Sequence, residues 1–487
     1  MGSQEKIDTS IEFFFDDLTG TDEDYAFTNG LGYHYQRGVW RPIEDKVTFT
    51  TLFDAKLKGA CEGNGAEFSK WYSAIVKTLE TVSMSRVPPL GFDADPNLYD
   101  RGPYLVTPNG TLDLGVEPVE LLEWQREHGT TQRIDIEFDP KAECPEWLAT
   151  LHRMLESDGR TEKQRWEIIH FLQEWVGVNL VGVSAKQTRG LKSGLIIDGP
   201  SYTGKSTFAD MFKALIGENN YISPKLDTLS SQFGKSILIG NKPLISDDGI
   251  EIGSKADASV LKRIITGEDM TVDRKGMSLV TLKYTGAVLW TTNTLPDIHD
   301  ESDAVYNRFV LVRMARVFSK EEGAKTFKNM SPIDFFRNAG ELPGVLNWAL
   351  EGYGRAYDRG HFKVPKECAL ASHEFRMEND KIYAALHKLF RPSKKKGVWG
   401  AALAAIISEY ALTQHQERMS IAKAMRVTKR TASDVYHGID VEDTEKGPLF
   451  HNLQLTQLGK NFWAMVSAPE RKVAQLKHLE GPEEALI

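Results

Sequence analysis

The sequence predicts an α/β protein whose central part is a parallel sheet flanked by helices, preceded by an α+β segment and followed by a mainly helical one. Three observations predict the core. Strand-like apolar runs alternate with helical spacing from about residue 183 to 330, with strands expected at 194–198, 242–247, 286–292 and 308–313. The first run, Leu195-Ile196-Ile197, leads into Gly199-Pro200-Ser201-Tyr202-Thr203-Gly204-Lys205-Ser206-Thr207 and then Phe208-Ala209-Asp210-Met211-Phe212, which reads as strand, glycine loop and helix. Later runs end in polar residues that chemistry can use: Pro243-Leu244-Ile245-Ser246 in Asp247-Asp248, and Val288-Leu289-Trp290-Thr291-Thr292 in Asn293.

The loop at 199–207 has the composition of a phosphate-binding loop. Glycines let backbone N–H groups close around a β-phosphate, a lysine reaches the β/γ oxygens, and a hydroxyl ligates Mg²⁺. Gly199, Gly204, Lys205 and Ser206 supply these parts, and a helix N-terminus at the same place adds its positive end. ATP with Mg²⁺ is the expected cofactor pair. The plainer alternative is a glycine-rich strand-to-helix turn with a solvated lysine.

Composition bounds the rest. A chain of 487 residues, 41% apolar and 26% charged, is globular and large enough for several domains. It has no 18-residue apolar run, so no membrane span is expected. Met1-Gly2-Ser3-Gln4-Glu5-Lys6 lacks a signal-peptide core. Cys61, Cys144 and Cys368 are widely spaced, which implies neither a disulfide framework nor a zinc site and fits a reducing cytoplasm. A net charge of −9 argues against a protein that coats nucleic acid over its whole surface, while leaving room for a basic channel.

Before the core, residues 1–29 read as an acidic, partly disordered lead-in. Tyr33-His34-Tyr35-Gln36-Arg37-Gly38-Val39-Trp40 alternates around a glycine turn and predicts a hairpin. Helical spacing is expected at about 66–85 and 146–182, with Asp93-Ala94-Asp95-Pro96 and Thr107-Pro108-Asn109-Gly110-Thr111-Leu112-Asp113-Leu114 as turns joining short strands. After the core comes a helical linker carrying Trp348, Leu350, Tyr353 and Tyr357.

Two adjacent carboxylates at a strand end suit metal-assisted hydrolysis. Asp247 is assigned to Mg²⁺ together with Ser206, and Asp248 to the base that polarises the attacking water. A one-residue slip at the strand end would exchange those roles. Asn293 is expected to position the lytic water or sense the γ-phosphate; the alternative is simple turn chemistry in Asn293-Thr294-Leu295-Pro296. Arg308, opening the run Phe309-Val310-Leu311, would be a finger inserted into a neighbouring subunit's ATP site, and that role requires an oligomer.

The order of these elements, together with Leu261-Lys262-Arg263-Ile264-Ile265-Thr266-Gly267-Glu268-Asp269-Met270-Thr271-Val272-Asp273-Arg274-Lys275-Gly276, resembles the superfamily 3 helicases of the phage and plasmid primase-helicase family. The resemblance implies an AAA+ P-loop core and a β-hairpin whose tip lysine grips DNA in a pore. Lys275 matches that tip, with Arg274 beside it. Read from the residues, Thr271 to Asp273 and Ser278 to Thr281 are β-prone around a turn. Upstream, Phe92-Asp93-Ala94-Asp95-Pro96, Asn109-Gly110-Thr111-Leu112-Asp113-Leu114 and Phe138-Asp139-Pro140-Lys141-Ala142-Glu143-Cys144-Pro145 look like the family's helicase-associated N-terminal domain, which argues against a primase metal pair at Asp93 and Asp95. Two departures stand out. Asn307-Arg308 replaces the paired arginines of many members, and the text before residue 30 has no room for a primase domain, so primer synthesis or loading would fall to a separate protein.

The C-terminal text places helices at 380–390, 400–412 and 417–426 before Thr428-Lys429-Arg430-Thr431-Ala432-Ser433-Asp434-Val435-Tyr436, a candidate recognition helix, with Asp440 to Pro448 as a wing. This is similar to the winged-helix domains that often follow this motor. Lys429 and Arg430 are its DNA-binding candidates, and Arg391 with Lys394, Lys395 and Lys396 adds a basic patch. A small helical domain that contacts protein is the alternative.

The expected organisation is a lead-in at 1–29, a helicase-associated domain at 30–182, the ATPase domain at 183–330, a linker at 331–377 and a winged-helix-like domain at 378–487. The expected function is ATP-dependent DNA unwinding by a homo-hexameric ring in the cytoplasm of a bacterial host, with DNA as partner and no membrane. The rivals are a ring ATPase that translocates without unwinding, a small-molecule P-loop kinase, and an initiator that uses ATP as a switch.

Overall fold

A computed structural model describes residues 25–28, 31–42, 104–131, 133–157, 159–181, 191, 194–218, 220–240, 242–246, 255–274, 279–295, 308–415, 420, 424–425, 441–444 and 447–466. At its centre are four short strands: β7 (Gly194–Asp198), β8 (Leu244–Ser246), β11 (Val288–Thr292) and β12 (Phe309–Arg313). They form one parallel sheet in the order β12-β7-β11-β8, close to the four predicted strands. Leu195, Ile196 and Ile197 are fully buried, as are Leu244, Ile245 and Leu289. Near-continuous apolar runs of this kind are what a parallel sheet covered on both faces requires. Gly194 is needed by packing, because a Cβ there would lie 2.3 Å from the Phe309 ring, which stacks on Trp290 at 4.5 Å.

The chain divides into two compact units, one holding residues up to 296 and 307–369, the other 297–306 and 370–487. In the first, β1 (Tyr25–Thr28), β2 (Leu31–Gln36) and β3 (Val39–Pro42) form an antiparallel meander. Arg37 and Gly38 turn β2 into β3 with positive φ of 51° and 86°, the two-residue geometry a hairpin prefers. A second antiparallel sheet joins β4 (Tyr104–Thr107), β5 (Gly110–Asp113) and β6 (Glu120–Leu122). Both the predicted hairpin and the predicted turn at Pro108-Asn109 are present. The 66–85 helix and the Asp93–Pro96 turn lie outside the described residues.

The helical spacing expected over 146–182 is realised as two helices, α1 (Pro145–Met154) and α2 (Glu162–Val181). The break has a local cause. Thr161 and Gln164 form a reciprocal capping box: the Gln164 N–H donates to the Thr161 hydroxyl at 3.3 Å, and the Thr161 N–H donates to the Gln164 side chain at 2.8 Å. A helix restarts there. After β7 come α3 (Lys205–Ile216) and α4 (Leu226–Ser230); α5 (Lys255–Thr266) follows β8. Strands β9 (Asp269–Val272) and β10 (Val280–Lys283) pair antiparallel, as predicted for the hairpin, with Val272 opposite Val280.

Beyond β12 run α6 (Lys320–Thr326), α7 (Pro332–Asn338) and α8 (Leu342–Arg359). Helix α8 packs on α2 through glycine: a Cβ on Gly177 would sit 2.0 Å from the Ala349 carbonyl oxygen, and one on Gly352 2.4 Å from that of Gln173. Backbone cannot retreat as a side chain can. Gly177→Val should therefore cost about 3 kcal/mol of stability by overpacking, read as a shift in the denaturation midpoint at unchanged slope. The same helix pair buries Glu174, which is held by Arg355 and Arg359.

Helix α1 is set from both ends. Glu341, itself buried, accepts the Glu146 and Trp147 N–H groups at 2.8 and 2.9 Å, a carboxylate at a helix N-terminus. Trp147 packs between Phe208, Phe336 and Trp348. The C-terminal end of α1 thereby arrives beneath the glycine loop.

Helix α9 (Lys366–Asn379) passes from the first unit into the second, where α10 (Lys381–Leu389), β13 (Phe390–Trp399), α11 (Gly400–His415), β14 (Val441–Thr444), β15 (Gly447–Leu455) and α12 (Gln457–Met465) follow. The strands form an antiparallel sheet in the order β13-β15-β14. The expected helices at 380–390 and 400–412 are present, and β14 with β15 occupies the stretch read as a wing. Strand β13 was not foreseen. Its Pro392 and lysine run resemble a loop, yet it pairs with β15 on both sides of a register shift between Pro392 and Gly397. Most of 417–426 and all of 428–436 lie outside the described residues, so the recognition helix and its Lys429 and Arg430 do too.

Candidate nucleotide-binding site

Because the sheet is parallel, β7, β8 and β11 all deliver their C-terminal ends to one edge, and the glycine loop stands there. Gly199 continues the ladder by donating its N–H to the Thr292 carbonyl at 3.3 Å. A side chain is excluded at Gly199, where a Cβ would lie 2.0 Å from the Met314 carbonyl oxygen. Gly204, with φ of 93°, would bring a Cβ within 2.7 Å of Met154 on α1. The two glycines therefore seat the loop between the strand-β12 exit and α1, as well as leaving its backbone bare. Thr203, fully buried, ties the loop to itself by donating its hydroxyl to the Pro200 carbonyl at 3.0 Å. Phe318 N–H donates to the Tyr202 carbonyl at 2.9 Å. Pro200, Ser201, Tyr202 and Ser206 are exposed, and Thr207 is half-buried.

Lys205 opens α3 and is only 7% exposed. Its ammonium donates to the carbonyls of Gly199 at 2.7 Å and Pro200 at 2.6 Å, and to Asn293 Oδ1 at 2.8 Å. Burial lowers the Lys205 ammonium below its usual range, with Asp198 opposing. Burial likewise raises Asp198, against the pull of Arg313 and Lys205; Arg313 Nε stands 3.4 Å from its carboxylate. An anion placed at this ammonium would relieve the desolvation that depresses it. The donor set, the bare glycine backbone and the exposed Ser206 hydroxyl at the start of α3 fit a phosphate and a hard cation.

Asn293 reaches Lys205 because β11 ends in a turn made by its own side chain. The Thr294 N–H donates to the Thr292 hydroxyl at 3.2 Å. Turn chemistry and contact with the loop lysine hold together at this position.

The other predicted residues divide. Strand β8 ends at Ser246 on the same sheet edge, with Ser246 opposite Trp290; Asp247 and Asp248 follow it and lie outside the described residues. Arg308 sits one residue before Phe309, which pairs with Gly194, so it lies at the opposite end of the sheet. At ~3.3 Å per residue along a strand, that is roughly 20 Å from the loop. It is half-buried, and no described carboxylate pairs with it. Arg274 is 2% exposed just past β9, where the connection to β10 begins, so its guanidinium is not presented to a phosphate as expected. Lys275 lies outside the described residues.

Two features were not anticipated. The first is Asp198 with Arg313, at the loop end of neighbouring strands. The second is a cavity of about 310 Å³ beside Gly204, walled by Met154, Tyr202, Thr207, Phe318 and Phe327. Its walls come from α1, the loop and α6, segments far apart in the chain, so no local pattern could have announced it. Its size falls at the lower end of ordinary ligand pockets, which start at ~300 Å³.

The described geometry defines a class: a parallel α/β unit with a strand, a glycine loop and a lysine-led helix. Residues 13–156 match the family model described as D5 N terminal like, and residues 197–308 match one described as a family of unknown function, DUF5906. The second match begins in β7 and ends at Arg308, and so takes in the whole loop. No curated protein matches. Among solved structures, two A-form apo structures of the NrS-1 C-terminal region align at 14% identity, covering 90% of this chain and 97% and 98% of theirs, with TM-scores of 0.38 and 0.39. Another apo structure of that region, residues 305–718, aligns at 12% identity with a TM-score of 0.36. Among the described residues, no helix is long and apolar enough to cross a membrane.

Proposed function

We propose that the chain is an ATP-dependent DNA helicase of phage or plasmid-type replication that works as a ring of identical subunits. The observation that carries the nucleotide part of this reading is the bond between Lys205 and Asn293, while the match of residues 13–156 to the D5 N terminal like model supports the replication part. Lys205 and Asn293 are 88 positions apart, and a loop lysine meeting the polar end of a neighbouring parallel strand is the arrangement a γ-phosphate site needs.

On this reading, backbone N–H groups from Ser201 to Ser206 face the phosphates and the start of α3 adds its dipole. Lys205 binds the β/γ oxygens, and Asn293 holds that ammonium while sensing the γ-phosphate. Ser206 and Asp247 would hold Mg²⁺, which supplies charge neutralisation at the phosphate oxygens when bound. Asp248 orients and deprotonates water. The base of the nucleotide enters the cavity between Met154, Tyr202 and Phe318. Arg308 serves the neighbouring subunit's site, and the hairpin carrying Lys275 contacts DNA, with Lys429 and Arg430 as further contacts.

A forked duplex with the purified full chain tests the reading. ATP-dependent strand separation that needs Mg²⁺ is expected. Hydrolysis stimulated by DNA without strand separation would replace the helicase with a translocating or remodelling ring, and hydrolysis indifferent to DNA would sink both.

A further inference from the structure

Away from the nucleotide loop, the first unit gathers cations that no described carboxylate pairs with. Arg37 sits in the β2–β3 turn and Arg41 in β3, both exposed; Arg133 lies beside β4, where it bridges to Val106. Arg133 donates from its guanidinium to the Arg37 carbonyl at 2.8 Å and lies over the Trp124 ring at 5.2 Å. Arg41 and Arg133 line a cavity of about 270 Å³ whose walls also include Asn179, Asn220 and Lys242. Like charges held this close repel. Burial, Arg37 and Arg41 all disfavour the charged form of Arg133, and Asp135 alone opposes them.

The neighbouring aromatic has a fixed place. Trp124 donates its indole N–H to the Thr107 carbonyl at 3.1 Å, and Gly38 packs so near that a Cβ there would come within 2.9 Å of the ring. Trp124 nonetheless stays 40% exposed. A ring pinned by its edge and open to solvent, beside a cationic cavity, is a surface with two chemistries.

We propose that this cavity binds a backbone phosphate of single-stranded nucleic acid and that Trp124 stacks on an adjacent base. A cationic groove with an aromatic platform is how single strands are held without sequence preference, by charge along the backbone and stacking at the bases. A free phosphate has no use for the ring, and a duplex keeps its bases from it. The cavity borders Pro243, which precedes β8, so it lies at the sheet end away from the nucleotide loop. The proposal rests on the DNA-acting reading for its choice of ligand, but it concerns a separate surface and needs no ATP.

The test uses the full chain without nucleotide and a fluorescent oligothymidylate, titrated across salt concentrations. Arg41→Gln, and Arg37→Gln with Arg41→Gln, should weaken binding and make the log K against log salt slope shallower by about 0.7 for each phosphate no longer neutralised. Arg337→Gln, an exposed arginine on α7 outside both sites, should bind as the parent does. An oligonucleotide carrying 5-bromouracil should photo-cross-link to the peptide containing Trp124, a readout that needs no variant to fold. Unchanged affinity and slope in the arginine variants, with cross-links elsewhere, overturn the proposal. So does a variant that loses only binding of inorganic phosphate, measured by calorimetry, because the cavity would then serve a free anion. An intact arginine effect in a chain that never separates strands would leave this site standing and remove the motor reading alone.

Discussion

Lys205→Ala is expected to lower steady-state ATP hydrolysis by about a hundredfold to a thousandfold, the usual cost of removing one preorganised donor from a developing charge. The ammonium is already gathered by Gly199, Pro200 and Asn293 at 2.6 to 2.8 Å. It stands in a place where burial alone depresses its charge, so an anionic phosphate gains more from it than from a solvated lysine. The folded chain should survive the change, because two of the three acceptors are loop carbonyls with further hydrogen-bonding capacity. Phosphate release and thermal melting should therefore part company: hydrolysis lost, midpoint nearly unmoved. A variant that hydrolyses ATP at the parent's rate would return the loop to the status of a plain strand-to-helix turn.

Arg308→Ala is expected to lose hydrolysis by about a thousandfold or more, the range of an arginine finger, and to regain part of it when mixed with Lys205→Ala protein. The reason is placement. Phe309 pairs with Gly194, and the loop follows Asp198, so the strand itself separates Arg308 from its own site. An arginine there can act on a phosphate only across an interface between copies. In a ring of head-to-tail contacts, mixing the two inactive proteins in equal amounts should rebuild roughly a quarter of the interfaces with both parts intact. Activity in the mixture shows that the site is shared. No rescue, with both proteins folded and assembled, would place the arginine's role within one chain or in stability.

Local pattern carried far in this protein. The four core strands, the loop and the β9–β10 pair follow from apolar runs, turn residues and their order, since each is a choice the chain makes within a few residues. The failures also have local faces. The helical spacing over 146–182 does not by itself mark where one helix ends and the next begins, a boundary set by the box at Thr161 and Gln164. Strand β13 was hidden because Pro392 and a lysine run suit a loop by propensity, while its pairing with β15 is made by residues some sixty positions on. Arg274 read as a cation offered to DNA because sequence gives charge and spacing but not depth.

What the sequence determined by itself is the parts: a glycine loop with a lysine, a strand ending in an amide, a strand ending in carboxylates, and an arginine opening the next run. The tertiary structure alone decided how they meet. Parallel pairing puts the ends of β7, β8 and β11 on one edge and Arg308 on the other, because strand direction is set by partners and not by the strand's own residues. It also decided why the loop must be glycine at two positions, where the Met314 carbonyl and the Met154 side chain leave no room for a Cβ. The cavity beside Gly204 and the cations around Trp124 are likewise tertiary, each assembled from segments whose separation in the chain leaves no period or motif to read.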